Sequence, residues 1–127
     1  MKLENLKIEK TKDTFEISCE CETGIIEING TSYPENALEF FEPVLDWVEE
    51  YCNNSGKKEI TLNMNVNYLN SSTTKCILDI FEEVETFVKK GNKGIINWYY
   101  KKNDKIIRNS GEEFLEDLVV PFKLIEY

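Results

Sequence analysis

Histidine is absent from all 127 residues. The side chain that most often carries a proton near neutral pH is therefore missing, and with it Ser-His and Cys-His nucleophile pairs. No GxxxxGK[ST] or GxGxxG stretch occurs, so the chain has no recognisable phosphate-cradling loop. No apolar run approaches the roughly 18 residues that a membrane span needs. The opening segment MKLENLKIEK alternates charges with Leu and Ile and has neither a continuous apolar stretch nor a small-residue cleavage site. It does not read as a secretory signal, and the expected location is cytoplasmic, with no membrane insertion.

Cysteine is present but sparse. Cys19, Cys21, Cys52 and Cys76 are irregularly spaced. Cys19 and Cys21 fall two apart on an expected strand, without the second close pair that zinc sites usually show. Reduced core thiols are the expectation, with no metal site and no cofactor. Paired carboxylates exist at Glu82-Glu83 and Glu112-Glu113, but consecutive helical residues point about 100 degrees apart and make poor acid–base dyads. No catalytic residue is assigned. A small enzyme using carboxylates or Cys76 stands as a rival reading, marked by a deep pocket with a strongly perturbed acid.

What is present suffices for one globular domain over residues 1–127, with 41% hydrophobic and 31% charged residues. The net charge of −9 is uneven. Residues 1–50 carry 4 Lys against 13 Asp and Glu, and the remainder balances at 11 of each sign. An acidic surface repels phosphate backbones, which argues against nucleic acid and for a basic or polar protein partner.

Periodicity gives the order β-β-α-β-α-β-α-β. Thr14 to Cys19 and Ile25 to Asn29 read as a hairpin across Glu22-Thr23-Gly24. Ser32-Tyr33-Pro34-Glu35 has the form of a capping box, which predicts a first helix starting there and ending at Asn53-Asn54-Ser55-Gly56. In Lys58 to Leu69, Ile60, Leu62, Met64 and Val66 alternate with Thr61, Asn63, Asn65 and Asn67. Asn is depleted in strands, so this polar face is expected to meet water or a partner. A second helix carries Ile77, Ile80, Phe81, Val84, Phe87 and Val88 and stops at Gly91. Lys93 to Lys102 is the next strand. Ser110-Gly111-Glu112-Glu113 predicts a short third helix, and Phe122 to Glu126 a final edge strand. The fold class is α/β, a single-domain mixed sheet with helices packed on it.

One junction has more polar hydroxyls than folding requires. After Tyr68-Leu69-Asn70 come Ser71, Ser72, Thr73 and Thr74, and a helix begins. One cap side chain is enough, contributing about 1 kcal/mol. Ser and Thr are poorer helix formers than Ala, Leu or Lys, so propensity does not select the others. A helix N-terminus is also where added negative charge costs the fold least, because exposed N–H groups and the positive dipole end face it. A phosphoryl group would bring about −1.5 to −2 charge to that point and change what can dock.

Three segments, Ser32-Tyr33-Pro34-Glu35-Asn36, Asp46-Trp47-Val48-Glu49 and Tyr68-Leu69-Asn70-Ser71-Ser72 with Lys75, resemble in order and spacing those of the SiaC family of bacterial regulatory phosphoproteins. The hydroxyl cluster is more distantly similar to anti-sigma factor antagonists of the SpoIIAA type, a STAS-like fold. The resemblance implies a non-enzymatic adaptor. It also implies phosphorylation by a GHKL-type protein kinase, reversal by a PP2C-type phosphatase, and an unphosphorylated form that binds and activates a GGDEF diguanylate cyclase in cyclic-di-GMP and biofilm signalling. Carried over by position, the phosphoacceptor is Ser71, where the family often has Thr, with Ser72 next. Tyr33, Pro34, Glu35, Asn36, Tyr68, Leu69, Asn70 and Lys75 are assigned to partner recognition. The alternative within this resemblance is an anti-sigma factor antagonist acting in a partner-switching transcription pathway.

Overall fold

The computed structural model describes residues 3–127. Six strands form one sheet in chain order: β1 (Leu6–Ile8), β2 (Glu16–Glu20), β3 (Ile25–Ser32), β4 (Glu59–Leu69), β5 (Lys93–Tyr100) and β6 (Phe122–Glu126). The β1–β2 and β2–β3 pairs are antiparallel, and the rest are parallel. Each parallel step is bridged by one helix: α1 (Ala37–Asn54), α2 (Ser71–Lys89) and α3 (Lys105–Leu115). The mixed sheet and the expected β2–β3 hairpin are both present.

Cross-strand rows show how alternation sorts the two faces. Ile17, Ile28, Met64 and Trp98 lie in register and are fully buried, as are Cys19, Ile26, Leu62 and Ile96. Phe41, Val44 and Val48 of α1 and Ile77, Ile80 and Val84 of α2 join them in one core. The other set, Ser18, Glu27, Asn63 and Asn97, faces away from that core and is not buried. There the Asn97 amide donates to Asn63 Oδ1 at 2.8 Å, and the Tyr127 hydroxyl to Asn65 Oδ1 at 2.6 Å. The asparagine-rich side of β4 thus forms an uncovered face, as its alternation indicates.

Three details differ from the sequence reading. β1 is a strand of 3 residues, too short for a period-2 signal to register. Helix α1 begins after Asn36, whose side chain accepts from the Glu39 N–H at 3.1 Å, and Ser32 instead ends β3 in the interior. Helix α3 starts at Lys105 under an Asp104 cap, so Ser110 and Gly111 are interior helical residues. Gly111 lies there because Trp98 is packed against it, and a Cβ would enter the indole ring. That indole also donates to the Ile107 carbonyl at 2.9 Å. What has the form of a helix start in the sequence is a packing glycine inside a helix.

Candidate functional site

At the carboxyl ends of β3 and β4 the ladder is irregular. Register runs Gly30 with Val66, then Thr31 with Tyr68 and Ser32 with Leu69, so Asn67 is an extra residue in β4. Such bulges re-aim the side chains beyond them. Without it Tyr68 would sit opposite Ser32. With it, Tyr68 meets Tyr33 edge to face, ring centroids 6.2 Å apart, and Leu69 falls in line with the buried Ser32. Gly30, at φ +113, holds a backbone conformation that L side chains rarely adopt, and it sits directly before the shift. Tyr33 and Tyr68 are about half exposed, at 47% and 52%.

The four hydroxyls then divide by role. Asn70 is the cap of α2, its side chain accepting from the Thr73 N–H at 2.9 Å. Thr73 points inward, fully buried, and shares a 2.8 Å hydrogen bond with Ser32. The Thr74 hydroxyl donates to the Asn70 carbonyl at 3.0 Å. Ser71 and Ser72 are exposed, and neither hydroxyl bonds to another of the described residues. Thr73 is closed to any modifying protein while the domain is folded. Two hydroxyls build the corner and two are left to solvent.

Two of the residues assigned to recognition are accounted for locally. Asn36 caps α1 and also donates to the Glu39 carboxylate at 3.2 Å, and Asn70 caps α2. Pro34 and Leu69 are half-buried, the latter against the core. Tyr33, Glu35, Tyr68 and Lys75 are exposed, Lys75 one helical turn beyond Ser71. The chain reading did not find Leu38, 65% exposed in the first turn of α1, because it lies off that helix's apolar stripe. It also did not find the Ser32–Thr73 pair, which joins residues 41 apart and leaves no local signal.

That pair locks the start of α2 to the end of β3, together with a 3.0 Å bond from the Asn70 N–H to the Ser32 carbonyl. Ser32→Ala would leave the Thr73 hydroxyl buried without a partner, at a cost of about 1–3 kcal/mol. Ser32→Ala combined with Thr73→Val removes both polar groups and is expected to recover part of that loss. Urea unfolding of the two single variants and the double variant measures the coupling.

Acid–base and thiol chemistry find little support at this corner. The Cys76 thiol, in the second turn of α2, is pushed up by burial and by Asp79, which disfavours the thiolate a nucleophile needs. Glu83 is raised by burial, then by Glu49 and Glu82, but it lies further along the helix on the side facing α1. Among the described residues no cluster of three or more His, Cys, Asp or Glu could hold a metal ion. No helix among them is long and apolar enough to cross a membrane.

A single-sheet α/β domain with one uncovered face, presenting a pair of exposed hydroxyls at the start of a 19-residue helix near an aromatic pair, defines the class. Comparison with known proteins gives the family. Residues 8–127 match the SiaC family regulatory phosphoprotein, and the chain belongs to that family. An uncharacterized protein of Pseudomonas aeruginosa strain UCBPP-PA14 is 32% identical over 122 residues, 96% of each chain. The solved structure of SiaC of Pseudomonas aeruginosa superposes with a TM-score of 0.89 at 32% identity, over 97% of this chain and 98% of that one. A chain in the crystal structure of the diguanylate cyclase SiaD in complex with its activator SiaC, from the same organism, superposes at 0.92, over 96% and 99%.

Proposed function

We propose that this protein is a non-enzymatic, phosphorylation-controlled adaptor whose unphosphorylated form binds and activates a diguanylate cyclase, with Ser71 as the switch and Ser72 as the secondary acceptor. The observation that carries the proposal is the exposure of Ser71 as the first residue of α2, with Thr73 and Thr74 already committed to the fold. The docking surface is the corner formed by Tyr33, Glu35, Tyr68, Ser71 and Lys75. The family supports a regulatory phosphoprotein, and the complex of SiaD with its activator SiaC supports the class of partner. A GHKL-type kinase and a PP2C-type phosphatase are the enzymes this reading requires to write and erase the mark.

Physically, phosphate here leaves the fold intact and changes the surface. The first-turn N–H groups and the dipole of α2 receive the added charge. Lys75 stands four residues on, the spacing at which opposite charges on a helix interact. The test is incubation with the cognate kinase and ATP, followed by mapping the adduct by mass spectrometry. The expected site is Ser71 or Ser72; a phosphate found only elsewhere would sink the assignment.

A further inference from the structure

The opposite end of the sheet holds a concavity of about 450 Å³ that the switch does not use. β4 begins at Glu59 and ends at Leu69, so this cavity lies a strand's length, about 35 Å, from the hydroxyl corner. Its volume falls within the roughly 300–1,000 Å³ typical of small-molecule sites. Three lysines are among its lining residues, Lys57 and Lys58 before β4 and Lys93 at the start of β5, against two acidic residues, Glu22 and Glu59. A net positive wall is unusual in a chain of net charge −9.

The charges are unevenly committed. Lys57 pairs with Glu22 at 3.7 Å, both groups well exposed, whereas Lys58 and Lys93 make no salt bridge among the described residues. The two strand starts are tied together by the Lys93 N–H donating to the Lys58 carbonyl at 2.9 Å, which fixes where these lysines emerge. The helix dipole accounts for Lys89 in the last turn of α2 but gives no reason for lysines that precede strands. Thr23 and Asn92 add neutral hydrogen-bonding groups to the wall. Tyr51, another lining residue, is fixed by its hydroxyl donating to the Glu59 carbonyl. Two lysines without a carboxylate partner among the described residues, at the starts of adjacent strands, suit a dianion better than a single carboxylate, and lysine binds phosphate as a point charge.

We propose that this cavity binds a small phosphate monoester, its phosphoryl group held by Lys58 and Lys93 and its polar body by Thr23 and Asn92. The site is independent of the hydroxyl corner, so its failure would leave the switch untouched. The test is a titration of the full chain with ribose 5-phosphate, followed by amide NMR, with ribose, inorganic phosphate and citrate as parallel arms. The expected result is saturable shifts at Thr23, Gly91, Asn92 and Lys93, half-complete at ~1 mM or below. A variant carrying Lys58→Gln and Lys93→Gln is expected to weaken this at least ~tenfold. Ribose is expected to give no shifts, and inorganic phosphate weaker ones at the same amides. No saturation, shifts scattered over lysines elsewhere, citrate matching the ester, or an unaffected double variant would each overturn the proposal.

Discussion

Ser71→Asp is expected to bind a diguanylate cyclase, the proposed partner, at least ~tenfold more weakly than the unmodified protein, a loss of about 1.4 kcal/mol, while melting at the same temperature or slightly above it. Ser71→Ala is expected to bind as the unmodified protein does and to resist the effect of the proposed kinase. The two readouts move apart for a physical reason. In the free protein a carboxylate at the first position of α2 meets a positive dipole end and unfilled N–H groups, worth about 0.3–1 kcal/mol in its favour. In the complex the same charge would sit at a corner whose exposed side chains include the Tyr33–Tyr68 pair and Glu35, with Lys75 one helical turn on. Covering such a surface removes water from a charge that, in this corner, only Lys75 could offset. Lys75 is the nearest cation in sequence, and any pairing with the introduced carboxylate would withdraw it from the partner as well. Surface binding to an immobilised cyclase, with thermal melting of the same samples, checks both halves. Equal binding by the two variants would show that charge at this position is not the control.

How much of this is legible in the chain depends on how far apart the cooperating residues lie. Helix α2 is legible in full, because Asn70, the hydroxyls and the Ile77–Ile80–Val84 stripe are neighbours in sequence and each obeys a local rule. The uncovered sheet face is legible too, since Asn63, Asn65 and Asn67 alternate strictly with buried residues on β4. Ser32 misleads for the opposite reason. Its local context, with Glu35 three residues later, has the form of a cap, and tertiary packing overrides it by supplying Thr73 as a partner from 41 residues away. Gly111 shows the same override, where a helix tolerates a poor former because Trp98 needs the space. The bulge at Asn67 is invisible because nothing in β4 alone marks the register of β3. That bulge aims Tyr68, so the chain names the residues of the candidate corner while their meeting is settled by strand pairing.

Gly24→Ala is expected to be the most destabilising single-methyl change in the molecule, costing about 2–5 kcal/mol and lowering the melting temperature by ~6 °C or more. Two independent terms combine. Gly24 has φ +72, a left-handed conformation that costs an L residue roughly 1–2 kcal/mol. A Cβ there would also land on the Tyr51 hydroxyl and the Glu59 carbonyl, and one of the two is backbone. Overpacking of this kind typically costs ~1–3 kcal/mol. Neither neighbour can retreat freely. Tyr51 is 1% exposed, stacks on Trp47 with ring centroids 5.2 Å apart, and donates its hydroxyl to that same carbonyl. The glycine's own backbone is committed as well, its N–H donating to the Glu20 carbonyl at 2.9 Å and its carbonyl accepting from the Thr61 N–H at 2.9 Å, which joins β3 to β4. Gly56 provides the control, since it has φ +75 with nothing within 4 Å of a Cβ. Gly56→Ala should show only the conformational term, so the difference between the two in urea unfolding isolates the clash. Adding Tyr51→Phe to Gly24→Ala removes the hydroxyl that the methyl meets, and the double variant should lose less than the two single variants combined. Gly24→Ala and Gly56→Ala unfolding at the same urea concentration would mean that Tyr51 and the start of β4 yield to the methyl, and that this end of the sheet is softer than its packing implies.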